Sequence, residues 1–158
     1  MKRQERDRDR QRAQVIPVWT YRQALKALPY LASVMKTIRE YRLEARRHQL
    51  AAARLANSPG RPDRAAMIAE QEEAREARRA EERSQEGIHE LQQLGIFCVD
   101  PIRGEALVPF ARNEQLAWFV YDLFDPESLS AWRYHDDNLE MRRPISEVRD
   151  IAEGSAVV

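Results

Sequence analysis

Two long charged segments of helical composition, joined by a short turn, constrain the fold of this chain more than any other feature. They run from Thr20 to Leu55 and from Asp63 to Leu94, and the connection reads Asn57-Ser58-Pro59-Gly60-Arg61-Pro62. At ~1.5 Å per residue, each segment reaches roughly 50 Å as a helix. The sequence therefore predicts an antiparallel helical hairpin that takes up close to half of the 158 residues.

Apolar and small residues recur along both segments at alternating four- and three-residue spacing, which is typical of a two-helix coiled coil. The first segment carries eight basic and two acidic residues, whereas residues 61–94 carry six basic and nine acidic ones. Opposite net charges favour closure of the hairpin over association of like-charged helices. The predicted seam consists of Val34, Ile38, Tyr41, Ala45, His48, Ala52 and Leu55 on the first helix and Met67, Ala74, Ala77, Ile88 and Leu91 on the second.

Local signals mark where the helices begin, break and end. Thr20 followed by Gln23 has the spacing of a capping box and starts the first helix. Pro29 lies nine residues beyond that cap, so we expect a kink or a break there. Gly95 supplies the stop of the second helix. The pairs Glu72/Arg75, Glu76/Arg79 and Arg78/Glu82 are expected to support that helix by about 0.2–0.5 kcal/mol each.

Beyond Gly95 the hydrophobic period changes to that of short strands. The predicted strands are Ile96 to Val99, Ala106 to Phe110, Leu116 to Phe124 and Leu129 to Tyr134, with turn-forming residues between them. Four short strands at this spacing predict an antiparallel meander.

The third predicted strand is apolar on both faces, so we expect it to be central and covered on both sides. The bases of the helices can cover one side, and the other side needs the terminal segments or a second chain. One face is predicted to carry Trp118, Val120 and Phe124, and the other Phe119, Tyr121 and Leu123.

The predicted fold class is therefore α+β: a long, coiled-coil-like antiparallel helical hairpin packed at its base on a small antiparallel β-meander. Residues 1–14 are predicted to be a disordered basic arm, 15–153 a single domain and 154–158 a frayed tail. Within the domain, the hairpin takes residues 20–94 and the meander lobe residues 96–146. Val15 to Trp19 is predicted as a short edge strand, because Pro17 cannot donate to a strand ladder.

Composition and motifs exclude several classes of function. Cys98 is the only cysteine, so neither an internal disulfide nor a multi-thiolate metal site can form. There is no apolar run of 18 residues and no charged-then-apolar leader, so we expect a cytoplasmic protein without membrane association. Five glycines form no phosphate-binding fingerprint, and no nucleophile-elbow or paired-histidine motif occurs. The patterns predict no cofactor, no metal and no catalytic residue.

Several short motifs occur here in the order seen in one known family. They are Thr20…Ala24…Leu28-Pro29, Glu90-Leu91…Leu94-Gly95, Arg103-Gly104…Leu107-Val108…Phe110 and Trp132…Asp136…Arg142-Arg143-Pro144-Ile145. In these residues the chain, from about Val15 to Ser146, resembles an uncharacterised bacterial family, domain-of-unknown-function family 2203. The resemblance implies a long helical hairpin on a small antiparallel sheet and implies no known activity.

The chain departs from the pattern of that family at two positions. The family tends to place a histidine directly after the tryptophan, where Arg133 stands here, and an aspartate where Pro109 stands. If the family has a site built on that histidine, this member has altered or lost it. His135 lies two residues further on, on the same predicted strand face as Arg133, and is a partial substitute.

The densest group of polar residues lies between Trp132 and Arg143. On an extended chain Trp132 and Asp136 face one way, and Arg133 and His135 the other. One interpretation is a ligand-binding site formed by Trp132, Arg133, His135, Asp136, Arg142 and Arg143. The other is a structural lock, in which Arg143 bonds Asp136 and pins the C-terminal segment to the sheet. His135 with two adjacent acids falls short of the three or four ligands of a zinc site.

Three functions are compatible with these features. We favour a non-enzymatic cytoplasmic interaction or scaffold protein that binds a protein partner or a second copy through the hairpin and the sheet face. The second is a small-ligand or metal-dependent activity at the Trp132–Arg143 segment. The third is a coiled-coil factor that binds RNA polymerase, an analogy of shape alone. Nucleic-acid binding by the N-terminal arm is not favoured, because its acids alternate with its arginines and it has no aromatic residue.

Overall fold

The computed structural model of the chain describes residues 17–149. The described residues form three α-helices, α1 (Tyr21–Lys26), α2 (Leu28–Ala56) and α3 (Arg64–Gln93), and one short 3-10 helix at Ile145–Glu147. The predicted arm at residues 1–14, the frayed tail at 154–158 and the first two residues of the predicted N-terminal strand lie outside the described residues. Pro17 to Thr20 are not in a strand, although the Trp19 amide donates to the carbonyl oxygen of Pro109 at 2.8 Å.

The predicted start and break of the first helix are confirmed. The Thr20 hydroxyl accepts from the Gln23 amide, and the Gln23 side chain accepts from the Thr20 amide, which completes the capping box of α1. The helix breaks at Ala27, and Pro29 lies in the first turn of α2. A proline is tolerated there because a first-turn amide has no partner within the helix.

Helices α2 and α3 form the predicted hairpin, and the side chains between them become smaller away from the sheet. Near the sheet, Leu31, Met35 and Ile38 of α2 are buried in the same core as Leu91 of α3. Farther along, the buried residues are Ala45, Ala77, Ala80 and Ser84. The seam prediction was wrong for Met67, which is half exposed, and it missed Ala80 and Ser84. Small residues let the two helices approach closely at little cost in packing volume.

Polar contacts across the hairpin supplement this narrow seam. The Tyr30 hydroxyl donates to Glu90 at 2.5 Å, and His48 Nδ1 lies 2.5 Å from Glu73 Oε2. Of the three pairs predicted along α3, only Glu76/Arg79 forms among residues 17–149, with a separation of 3.3 Å. The hairpin is therefore held mainly by contacts between its helices, not by ion pairs along α3.

The described residues form five strands: β1 (Phe97–Asp100), β2 (Glu105–Arg112), β3 (Gln115–Asp122), β4 (Leu129–Tyr134) and β5 (Arg143–Pro144). They make one antiparallel sheet in the order β1-β2-β3-β4-β5, which confirms the predicted meander. The left-handed backbone of Gly95 (φ 76°) ends α3 as predicted, and a tight turn at Asn113 and Glu114 joins β2 to β3. The short strand β5 was not predicted. Phe124, which was predicted to belong to the third strand, lies after the end of β3 and is exposed.

The two faces of the sheet have different environments. The inner face packs against the helices through Phe110, Phe119 and Trp132, and the rings of Phe110 and Phe119 stack with centroids 4.0 Å apart. On the outer face, Leu107, Val120 and Ala131 lie side by side in a row across β2, β3 and β4. These three side chains are only 7–9% exposed, and Leu139, Glu140 and Arg142 line the same cavity as Leu107 and Val120.

Candidate functional site

The alternation of β4 separates the six predicted site residues onto the two sides of the sheet. Trp132 points inward and is buried in the core, whereas Arg133 points outward beside Trp118 of β3. Arg143 of β5 pairs with Trp132 and lies on its side. Arg142 lines a pocket over Val120 and Ala131 on the outer face, and Arg143 is also among the residues around that pocket. The six residues therefore do not converge on a single pocket.

The inner group is an arginine held between a carboxylate and two rings. Nε and Nη2 of Arg143 donate to the two carboxylate oxygens of Asp137 at 2.8 and 2.9 Å. The guanidinium carbon also lies 5.3 Å from the ring centroid of Trp132 and 5.1 Å from that of Tyr134. The prediction that Arg143 bonds Asp136 was wrong by one residue: Asp136 is exposed in the turn, and Asp137 points back to the sheet.

Asp137 is the acceptor on which this inner group depends. The paired hydrogen bonds from Arg143 lower the pKa of Asp137 to about 2, burial opposes that shift, and the Tyr134 amide at 2.9 Å adds to it. The Trp132 indole N–H donates to the Pro144 carbonyl oxygen at 3.1 Å, and the Arg112 guanidinium carbon lies over the Trp132 ring, 4.5 Å from its centroid. The contacts tie β5 and the following residues to the sheet.

Replacing Arg143 by alanine is expected to lower the melting temperature at neutral pH. The pKa of Asp137 is lower in the folded than in the unfolded state. The stabilisation of the fold by the Arg143–Asp137 pair is therefore complete above about pH 4 and is lost as the pH falls towards about 2. The difference between wild type and Arg143→Ala, measured by thermal unfolding at several pH values, should therefore shrink across that window. Arg142→Ala is the control, because within residues 17–149 the hydrogen bonds of Arg142 go to carbonyls of its own loop. A difference that stays constant down to pH 2 would show that the Asp137 pair is not its source.

The outer group centres on Arg133, whose side chain is only 5% exposed. Its Nη1 donates to the carbonyl oxygens of Tyr134 at 3.2 Å and His135 at 3.4 Å. No carboxylate within residues 17–149 lies within 4.0 Å of it. Burial and the neighbouring Arg142 lower the pKa of Arg133, and Asp137 acts in the opposite direction. A buried guanidinium normally has a charged partner, so this side chain is unusual.

Arg133 lines a cavity of about 330 Å³ on the outer face. Leu107 and Val120 form its floor, and Phe97 and Leu139 are among its apolar walls. The loop from Asn138 to Arg142 lies over this face. Arg142 Nη1 donates to the carbonyl oxygens of Leu139 and Met141 at 2.8 and 2.9 Å, and these bonds stabilise the conformation of the loop. The cavity is thus lined by apolar side chains together with arginine and glutamate side chains.

The other titratable groups are engaged in local contacts. His135 accepts a hydrogen bond at 3.1 Å from the Trp118 indole, so its Nδ1 carries no proton in this arrangement. Burial raises the pKa of Cys98 to about 11, which leaves its thiol protonated and unreactive at neutral pH. Asp63, near the tip of the hairpin, caps α3 by accepting from the Ala66 amide at 2.8 Å. Within residues 17–149, no three histidine, cysteine or acidic side chains cluster in a way that could hold a metal ion.

Sequence reasoning found the polar segment but missed two of its main features. Asp137, not Asp136, receives Arg143, and the apolar row of Leu107, Val120 and Ala131 turns the segment into the edge of a cavity. Strand alternation was the available signal for the second feature. It places Val120 on the same face of β3 as Trp118, and Trp118 pairs with Arg133 of β4. The positions of Pro109 and Arg133 prove to be neighbours of Trp118 in one row of the sheet.

Comparison with known proteins gives a family but no activity. None of the helices in the described part of the chain is long and apolar enough to cross a membrane. Searches of the curated proteins and of the solved structures gave no match. Residues 17–145 match the family described as uncharacterized conserved protein (DUF2203), and this range contains the hairpin, β1 to β4, Arg133, Asp137 and Arg143. The chain therefore belongs to the DUF2203 family.

Proposed function

We propose that this chain is a non-enzymatic interaction protein that self-associates through the outer face of its sheet and presents its hairpin as a projecting arm. The observation that carries the proposal is the set of large apolar side chains exposed on or beside that face. Phe97 is 54% exposed and Val99 47%, and both lie on the edge strand β1. Leu139 and Met141 are exposed on the loop that stands over the sheet. Clustered exposed apolar side chains are typical of protein interfaces.

The position of β1 supports this proposal independently. β1 is one of the two edge strands, and β2 is its only partner in the described part of the chain. Edge strands of monomeric proteins are commonly protected by charged residues or by a covering element. The exposed outer positions of β1 are instead Phe97 and Val99. A second copy that is related by a two-fold axis and packs on the outer face would cover the same side chains on both chains.

The hairpin offers the second surface of the proposed scaffold. Leu50, Met67 and Ile68, which lie away from the sheet, are all exposed. We interpret the α2/α3 pair as a coiled-coil-like arm that holds these residues at a distance from the outer face. The RNA polymerase alternative is less favoured, because the tip acid Asp63 is already used as a helix cap. We place the function in the cytoplasm, where the lone thiol of Cys98 would stay reduced.

The oligomeric state tests the proposal. At tens of micromolar, light scattering is expected to give about twice the chain mass of 18.5 kDa, and Phe97→Ser with Val99→Ser is expected to return the monomer mass. Leu50→Ser is the matched control, because Leu50 is also 54% exposed but lies on the hairpin. A monomeric wild-type protein would refute self-association. Dissociation by Leu50→Ser alone would move the interface from the sheet to the hairpin.

A further inference from the structure

We propose that the cavity beside Arg133 binds a small monoanion made of an apolar chain and a carboxylate group. The carboxylate would pair with the Arg133 guanidinium, and the chain would lie on Leu107 and Val120. This inference does not depend on self-association, although the cavity opens on the same face of the sheet. It goes beyond an interaction surface, because it assigns a chemical class of ligand to one site.

The first argument is the charge of Arg133. A guanidinium that keeps little contact with water is stabilised by an anion and by hydrogen-bond acceptors that replace the lost water. In residues 17–149, the only hydrogen bonds of Arg133 use Nη1, with two backbone carbonyls. Its Nε and Nη2 have no such partner within this range, and neither atom is fully buried, so both remain open to a ligand. These two nitrogens form the fork that binds a carboxylate through two parallel hydrogen bonds.

Asp137, whose charge acts on Arg133, is already paired with another arginine. Asp137 is close enough to raise the pKa of Arg133, but both of its oxygens accept from Arg143. The separation between inner and outer groups thus leaves one arginine paired and the other unpaired. An external anion would supply the negative charge that Asp137 cannot give to both Arg133 and Arg143.

The charges around the cavity favour a single negative charge on the ligand. Three arginines line it, Arg103, Arg133 and Arg142, together with the acids Glu105 and Glu140. Three positive and two negative groups leave one positive charge for the ligand to neutralise. A phosphate dianion would overcompensate that charge and be repelled by the two glutamates. A monocarboxylate matches it.

The walls select the rest of the ligand. Leu107 and Val120 are buried and have no polar group, and Phe97, Val99 and Leu139 add apolar surface at the rim. A hydrocarbon chain gains free energy by leaving water for such a surface, in proportion to the area that it buries. A cavity of about 330 Å³ holds a small molecule and not a folded element. The ligand chemistry is shared by free aliphatic acids and by the C-terminal carboxylate of an apolar peptide.

Titration calorimetry with octanoate and with octanamide tests the proposal on the full chain. Octanoate is expected to bind saturably, and octanamide, which has the same chain without the charge, at least tenfold more weakly. The acetylated dipeptide acetyl-Leu-Leu with a free carboxylate distinguishes the sources: tighter binding than octanoate would identify a peptide C-terminus as the ligand. Equal binding of octanoate and octanamide, or no saturable binding by either acid, would overturn the proposal.

The variant Arg133→Met separates a binding role from a structural one. Methionine keeps an unbranched apolar chain without the charge, so octanoate affinity is expected to fall at least tenfold while the melting temperature stays the same or rises. A clear fall in melting temperature would show that Arg133 is already paired within the protein, which contradicts the proposal. Arg149→Gln, an exposed arginine outside the cavity, is the control and should leave the affinity unchanged. Phe97 and Val99 are intact in Arg133→Met, so light scattering on the same sample reports self-association separately.

Discussion

Replacing Trp132 by alanine is expected to lower the free energy of unfolding by about 3–5 kcal/mol, the usual cost of removing a buried aromatic side chain. Trp132 is 1% exposed and lies edge-on to the rings of Phe110 and Tyr134, with centroids 5.8 and 4.9 Å away. The substitution would also remove the indole N–H that donates to Pro144 and the aromatic ring that the Arg112 and Arg143 guanidinium groups contact. The inner core and the attachment of β5 would weaken together.

Urea denaturation measures this loss, and Trp132→Phe is the matched control. Phenylalanine keeps most of the buried surface and loses the indole N–H, so its effect should be clearly smaller than that of alanine. If Trp132→Ala costs less than about 1 kcal/mol, then the inner face is not the main core of the lobe. If the two variants cost the same, the hydrogen bond to Pro144 outweighs the packing of the ring.

Gly87→Ala is expected to destabilise the protein even though alanine is the better helix former. A Cβ built at Gly87 would lie 2.6 Å from Cγ1 of Ile38 and 4.0 Å from its Cβ. Ile38 is fully buried and β-branched, so its χ1 cannot rotate away freely. Overpacking of this kind costs about 1–3 kcal/mol, whereas helix propensity returns only about 0.5–1 kcal/mol. The sign of the change therefore reports how closely α2 and α3 approach.

A double-mutant cycle checks the cause. Ile38→Ala removes the atoms that the new methyl group would meet, so Gly87→Ala should be neutral or stabilising in that background. Gln85→Ala is the control for helix propensity, because Gln85 is exposed on the same helix. A stabilising Gly87→Ala in the wild-type background would mean that the helices are farther apart at this point than described.

The hairpin was predictable because its signals are local. The capping box at Thr20, the proline at position 29 and the glycine at position 95 each act within one or two turns of their own helix. The four main strands were also predicted, since their alternation and turn residues are local patterns. The errors lie where tertiary packing decides whether a residue is buried. Met67 follows the helical spacing but is exposed, and Phe124 continues the apolar pattern of the third strand but lies after β3 has ended.

The candidate site was predictable as a segment but not as a geometry. Trp132, Arg133, Asp136 and Arg143 were singled out together, yet β4 sends Trp132 and Arg133 to opposite sides of the sheet. Whether Asp136 or Asp137 meets Arg143 depends on the geometry of the turn after β4, because neighbouring side chains in a turn point in different directions. The cavity depends on β2 and β3, whose residues are distant in sequence from Arg133. No local pattern contains that information.

The sequence by itself determined the periods, caps and turns, and with them an α+β chain built from a helical hairpin and a meander. Those features follow from backbone sterics and from burial of one face of each element, which depend on neighbours a few residues apart. Only the tertiary structure decided which face of the sheet the helices cover, which acid pairs with Arg143 and that Arg133 is buried beside an apolar cavity. These depend on the register of separate strands, because a shift of one residue would move every side chain to the other face.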